Sequence, residues 1–204
     1  MVCDNGGAPC VQGGLLSLAI CKPKIRNCAE KGNLVLGFVG KTMARKGDNP
    51  PNSALIYAAR VTEIVPGKRY YDGSTIYSKR RDSIYRWDGR QFEHIKNKYH
   101  GPNSIDHDLG KDRDHSRVLL SKDFRYFGDM AKRWETFQLV IDCVDKMARG
   151  YRVNHDDRLF RELDRLEVEL WRAPAPVQAK PIQAPDVSSA EEDDEGTCEV
   201  HCGR

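Results

Sequence analysis

The sequence predicts an α+β fold: a small mixed β-barrel with a short helix after its first strand and a C-terminal helical hairpin. Three observations predict it. Apolar runs over residues 15–20, 33–41 and 54–65 alternate little, as strands do when both faces are buried. Lys22-Pro23 divides the first run from a short helical stretch. Farther on, Phe137, Val140, Ile141, Val144 and Met147, then Leu159, Leu163, Leu166 and Leu170, recur at helical spacing.

Residues 4–14 are rich in Gly, Asn and Pro, the chemistry of turns, and the run from Asp4 to Cys10 offers backbone N–H groups to an anion. Residues 15–20 form the first strand. Pro23 has no N–H for a ladder and suits the first turn of a helix over residues 24–31, with Ile25 and Cys28 or Ala29 inward. Gly32 stops that helix. Residues 33–41 and 54–65 are the next strands, joined by a loop holding Gly47, Pro50 and Pro51, and Pro66-Gly67 closes the third. Asp88-Gly89 marks a hairpin between residues 83–87 and 91–95. Residues 100–115 read as a solvated polar loop, and residues 117–121 as a further strand. The helix ending at Arg149-Gly150 pairs with a second one capped by Asn154. From Ala173 the chain turns to Pro and Ala, then to acids, which predicts a disordered tail over residues 173–204 behind a domain of residues 1–172.

The net charge of +3 hides an asymmetry. Residues 173–204 hold two cations against seven acids, a balance of −5 that leaves +8 on the body. A basic body suits a polyanion partner such as a nucleotide or DNA, with the tail a competitor for the same surface. No apolar run approaches bilayer length, so no membrane role is expected. Met1-Val2-Cys3-Asp4 lacks the basic start and apolar centre of a signal peptide, which predicts a cytoplasmic protein. Seven cysteines, an odd number without secretory features, predict thiols rather than disulfides.

The candidate chemistry sits at the rim of the predicted sheet. Lys22 and Arg26 are placed to hold phosphate, Asp4 or Glu63 to accept from a base, and Tyr57, Tyr85 or Tyr126 to stack on it. Arg60 and Ser121 complete the expected binding set. Residues 68–101 interleave nine Lys and Arg with seven aromatics, the mixture that single-stranded nucleic acid needs and also that of an insertion plugging the barrel. For catalysis the candidates are Cys10 and Cys21, the latter with a thiol lowered by Lys22 and Arg26, and Asp4 and His100 as acid–base groups. His100, Asp106, His107, Asp108, Asp112, Asp114 and His115 are ligand types, but they match no zinc spacing and have no cysteine near them in the chain. Cys198, His201 and Cys202 supply three ligands without a fourth. There is no Gly-rich phosphate loop, Rossmann fingerprint or deaminase signature, so neither cofactor nor metal is expected.

These residues carry a resemblance. Over roughly residues 4–128 the chain resembles the nucleotide modification associated domain 2 family. The specific matches are Cys21-Lys22-Pro23 with Ile25-Arg26, and Asp123-Phe124 with Tyr126-Phe127-Gly128. Asp4 with Ala8-Pro9, Gly32, Gly37, Tyr57-Ala58, Arg60-Val61-Thr62-Glu63, Ile84-Tyr85 and Ser121 support them. The chain departs from the family at Asn33 and at Asn5-Gly6-Gly7. The resemblance implies association with systems that modify bases in DNA, often of phage or mobile elements, and partners within such a system. The strand layout is also similar to PUA-like modules such as EVE and YTH domains, small barrels that hold a modified base. Such a similarity implies a fold, while function is set by the site. The expected function is recognition of a nucleotide or base, with a modifying enzyme using Cys or Asp in the same pocket as the alternative.

Overall fold

A computed structural model describes residues 9–40, 50–95, 100–147 and 150–172. Asp4, the loop over residues 41–49 and the tail, with Cys198, His201 and Cys202, lie outside the described residues. The elements in order are β1 (Cys10–Gln12), β2 (Leu15–Leu18), α1 (Pro23–Cys28), β3 (Leu34–Phe38), β4 (Leu55–Arg60), β5 (Glu63–Pro66), α2 (Gly67–Tyr70), β6 (Tyr85–Trp87), β7 (Phe92–His94), α3 (Ile105–Leu109), β8 (Arg117–Ser121), β9 (Asp123–Tyr126), α4 (Gln138–Lys146) and α5 (Asp157–Trp171).

The fold is mixed α and β, with five helices among the described residues and every strand pair antiparallel. One sheet runs β1-β2-β8-β5, a second β3-β4-β9, and β6-β7 is a separate hairpin. The expected closed barrel is not formed among the described residues. No ladder joins the edges β1 and β5 of the first sheet to β3 and β9 of the second. The reason lies in residues 54–65, which the apolar pattern reads as one strand. They are two strands with a bend at Val61-Thr62, so β4 belongs to one sheet and β5 to the other. The run 117–126 bends likewise at Lys122. Thr62 fixes the paired bends: its N–H donates to the Leu120 carbonyl at 2.8 Å, and its Oγ1 accepts from the Lys122 N–H at 3.1 Å.

Leu16, Leu18, Val35, Tyr57, Leu119 and Ser121 line the space between the two sheets, which amounts to about 10 Å³. Small-molecule sites occupy about 300–1,000 Å³, so this interior is packed core and has no room for a base. Tyr57 illustrates the packing. Its ring lies against Gly37, where an added Cβ would collide with Cε1.

The helical hairpin packs on the second sheet. Val140, Leu159, Leu166 and Leu170 join the cluster that contains Tyr57, Phe124 and Tyr126. Each such burial stabilises by about 1.5–3 kcal/mol. Asp156, not Asn154, caps α5, accepting from the N–H groups of Arg158 and Leu159. Residues 67–95 fold back on the first sheet. Tyr70 stacks on Tyr77 at 4.9 Å, and Tyr71 meets Tyr85 edge-on at 5.7 Å. These four tyrosines are buried, so they plug the fold and do not present faces to a strand of nucleic acid.

Candidate functional site at the entry to the first helix

The chain leaves β2 and enters α1 with almost no linker, and Pro23 occupies the first helical turn. Cys21 and Lys22 make this turn in the left-handed region, at φ 55° and 50°. Residues with a Cβ pay roughly 1–2 kcal/mol each for that conformation. The turn leaves the Lys22 side chain exposed and points the Cys21 thiol toward α3.

Arg26, expected as a phosphate holder, is 0 % exposed. Its Nε donates to the Cys21 carbonyl at 3.0 Å and its Nη1 to the Arg117 carbonyl at 2.6 Å, while Nη2 donates to the Asp108 carbonyl. The guanidinium thus clamps α1, α3 and β8 together. Within α1 the buried residue is Arg26, Ile25 is half-buried and Cys28 is exposed, while Ala29, just past the helix, is buried. A planar fork of five donors satisfies three carbonyls at once, which makes the position structural.

The segment expected as a solvated loop carries the centre of the site. Ile105 and Leu109, four residues apart, turn one face of α3 inward, and Asp108 beside them is fully buried. Its two oxygens face different groups. Oδ1 accepts from the Cys21 thiol at 3.5 Å and lies 3.2 Å from His107 Nδ1. Oδ2 accepts from the Tyr85 hydroxyl at 2.8 Å and lies 2.8 Å from His100 Nδ1. The Cys21 sulfur and His107 Nδ1 are 4.0 Å apart. The imidazole of His107 is 55 % exposed, so the cluster opens to solvent on that side. Three segments far apart in sequence meet here: the turn at Cys21, the strand at Tyr85 and residues 100–108.

Burial pushes the Asp108 carboxyl up. Hydrogen bonding and charge from His100, with hydrogen bonds from Tyr85 and His107, outweigh it and hold the group below its ordinary value. Burial, reinforced by Asp108, pushes the Cys21 thiol up to about 12. Cys10, buried in β1, is pushed up to about 11 by burial and by Asp82. The expected lowering of the Cys21 thiol by Lys22 and Arg26 is therefore reversed: both cations act, but desolvation is larger. Neither thiol is an ionised nucleophile at neutral pH in this arrangement.

The other expected site residues are dispersed. Tyr57 and Tyr126 face each other across β4 and β9 within the core, whereas Tyr85 belongs to the other apolar cluster. Arg60 pairs with Asp123 at 3.1 Å and with Glu167, beneath the Trp171 ring. Ser121 donates to the Asp123 carbonyl at 2.8 Å, and Glu63 is exposed at the start of β5. The structure brings Cys21, Lys22, Tyr85 and His100 to one corner, and leaves Cys10, Tyr57, Arg60, Ser121 and Tyr126 elsewhere.

A second buried carboxylate, Asp82, escaped the sequence reading. Ser17 Oγ donates to it at 2.5 Å and Tyr70 at 2.8 Å, and the Arg80 Nε lies at 3.5 Å. Arg80 in turn donates to the carbonyls of Cys10, Gln12 and Leu15. This network fastens residues 67–95 to the first sheet.

Searches of curated proteins and of solved structures give no match. No helix among the described residues is long and apolar enough to cross a membrane. The family described as nucleotide modification associated domain 2 matches residues 1–187, which include every element described above. The chain belongs to the nucleotide modification associated domain 2 family.

Proposed function

We propose that this protein binds a nucleotide, free or within a nucleic acid strand, at the corner formed by Cys21, Lys22, His100, His107 and Asp108, and takes part there in base modification. The observation that carries the reading is the convergence of Cys21, Tyr85, His100 and His107 on one buried carboxylate beside an exposed lysine. Lys22 supplies a point charge for phosphate. The imidazoles and Asp108 supply proton donors and acceptors for the polar edge of a base. Family membership supplies the nucleotide-modification context. Chemistry on the bound nucleotide fits this corner better than reading by stacking, because Tyr57, Tyr85 and Tyr126 are all buried.

The test is binding of the full chain to a fluorescent mononucleotide and to a single-stranded oligonucleotide at several salt concentrations. Lys22→Ala and His107→Ala change exposed side chains and leave the Arg26 clamp intact. Salt-dependent binding weakened by both variants, with a shallower salt slope in Lys22→Ala, is expected. Absent binding at low salt, or equal binding in all three proteins, overturns the reading.

A further inference from the structure

We propose that Cys21 Sγ, His107 Nδ1 and Asp108 Oδ1 together hold a divalent cation of the zinc class, with a fourth coordination position open to solvent. The inference rests on the same corner as the proposed nucleotide site, but requires no nucleotide.

The first argument is metric. Zinc bonds of about 2.3 Å to sulfur and about 2.0–2.1 Å to nitrogen and oxygen imply ligand-to-ligand edges of roughly 3.3–3.6 Å at the tetrahedral angle. The three edges here are 4.0 Å from sulfur to nitrogen, 3.5 Å from sulfur to oxygen and 3.2 Å from nitrogen to oxygen. The triangle is already of the size that one ion would span. All three ligand atoms lie within 4.8 Å of one another.

The second argument is the division of labour on Asp108. Metal-bound carboxylates are commonly oriented by hydrogen bonds to the oxygen that does not face the ion. Here Oδ2 is held by Tyr85 and lies against His100, each at 2.8 Å, which leaves Oδ1 to face Cys21 and His107. The Arg26 donor on the Asp108 carbonyl fixes the backbone of the same residue. Supports of this kind are what a rigid ligand needs.

The third argument is chemical. A sulfur, an imidazole and a carboxylate suit zinc or cobalt(II), whereas magnesium and calcium prefer oxygen alone. On binding, Cys21 gives its proton to solvent and the sulfur takes up the ion, so one proton leaves for each ion bound. His107, half exposed, closes the triangle from the solvent side, where a water or a ligand atom completes the tetrahedron.

The test uses the full chain carrying Cys198→Ser and Cys202→Ser, so that the C-terminal thiols do not contribute. It is titrated with cobalt(II) as the optical probe and then with zinc. A single equivalent of cobalt is expected to give a thiolate charge-transfer band with tetrahedral ligand-field bands, and zinc to abolish both. Cys21→Ser removes the charge-transfer band. His107→Gln, at an exposed side chain, weakens binding without unfolding. Tyr85→Phe, which removes one of the two groups against Oδ2, weakens it by about tenfold. Absence of the band, or a band that survives both Cys21→Ser and His107→Gln, overturns the proposal. Nucleotide binding without a cobalt band defeats the metal site alone. A cobalt band without nucleotide binding upholds the metal and defeats the nucleotide reading.

Discussion

Asp82 and Asp108 are both buried carboxylates, each accepts from a tyrosine, and the ring of Tyr71 touches both tyrosines edge-on. What surrounds them differs. Asp82 is enclosed by Ser17, Tyr70 and Arg80, and Arg80 is itself tied to three carbonyls. Those partners keep one protonation state near neutral pH, and the network has nothing left to give a ligand. Asp108 is surrounded by a thiol and two imidazoles, one of them half exposed. Thiol and imidazole are ligand and acid–base types of side chain, the chemistry on which the proposed site draws. The same burial thus serves a fastening in one place and a chemical corner in the other.

The sharpest way to break this comparison is to remove each carboxylate. Asp82→Ala strands Arg80 in the interior and is expected to cost about 3–5 kcal/mol, read by urea denaturation. A cost below about 1 kcal/mol would dissolve the distinction. Asp108→Asn keeps an acceptor for Tyr85, so its stability cost is smaller, about 1–2 kcal/mol, whereas cobalt and nucleotide binding are expected to fall at least tenfold. The two variants should therefore reverse rank between a stability assay and a binding assay.

A pH series sharpens the contrast further. Burial raises the Asp82 carboxyl, and the opposing charge of Arg80 and bonds from Ser17 and Tyr70 do not cancel it. A carboxyl raised in the folded state holds its proton more tightly there than in the unfolded chain. Its contribution is full below the unfolded value, near about 4, and is lost as pH rises through the raised folded value. Wild type should therefore lose stability relative to Asp82→Asn from about pH 4 upward, measured as denaturation midpoints of both proteins. A pH-independent difference removes that account of Asp82. The smallest stability effect belongs to Lys22→Ala, within about 0.5 kcal/mol, because the side chain is exposed. Its effect on nucleotide binding is expected to exceed its effect on stability, and the opposite ranking would make Lys22 structural.

The strands were legible as apolar runs, and β8 falls on residues 117–121 as the pattern predicts, whereas β3, read as buried on both faces, is a half-buried edge strand. The hairpin at Asp88-Gly89 and the two C-terminal helices follow from turn chemistry and helical spacing in the same way. The barrel was misread because an uninterrupted apolar run carries no mark of a bend. Thr62 was the available sign, a hydroxyl within residues 54–65 that ends up bonding across the seam. The candidate site was legible only in part. Cys21, Lys22, Tyr85 and His100 were singled out, but Cys21 and His107 are 86 residues apart, and no local spacing joins them. The inward pair Ile105 and Leu109 was the signal that residues 100–115 do not lie wholly in solvent. Arg26 was misjudged because a cation in a short basic helix reads as surface, whereas three carbonyls awaited it inside.

The left-handed pair at Cys21 and Lys22 bears on how this corner tolerates change. Glycine would occupy either backbone position without steric penalty. Lys22→Gly therefore eases the main chain while stripping away the cation, and Cys21→Gly does so while deleting the sulfur. A screen that rewards only a relaxed main chain would admit both replacements, and on the proposed reading the molecules it enriched would have lost the grip on nucleotide and ion.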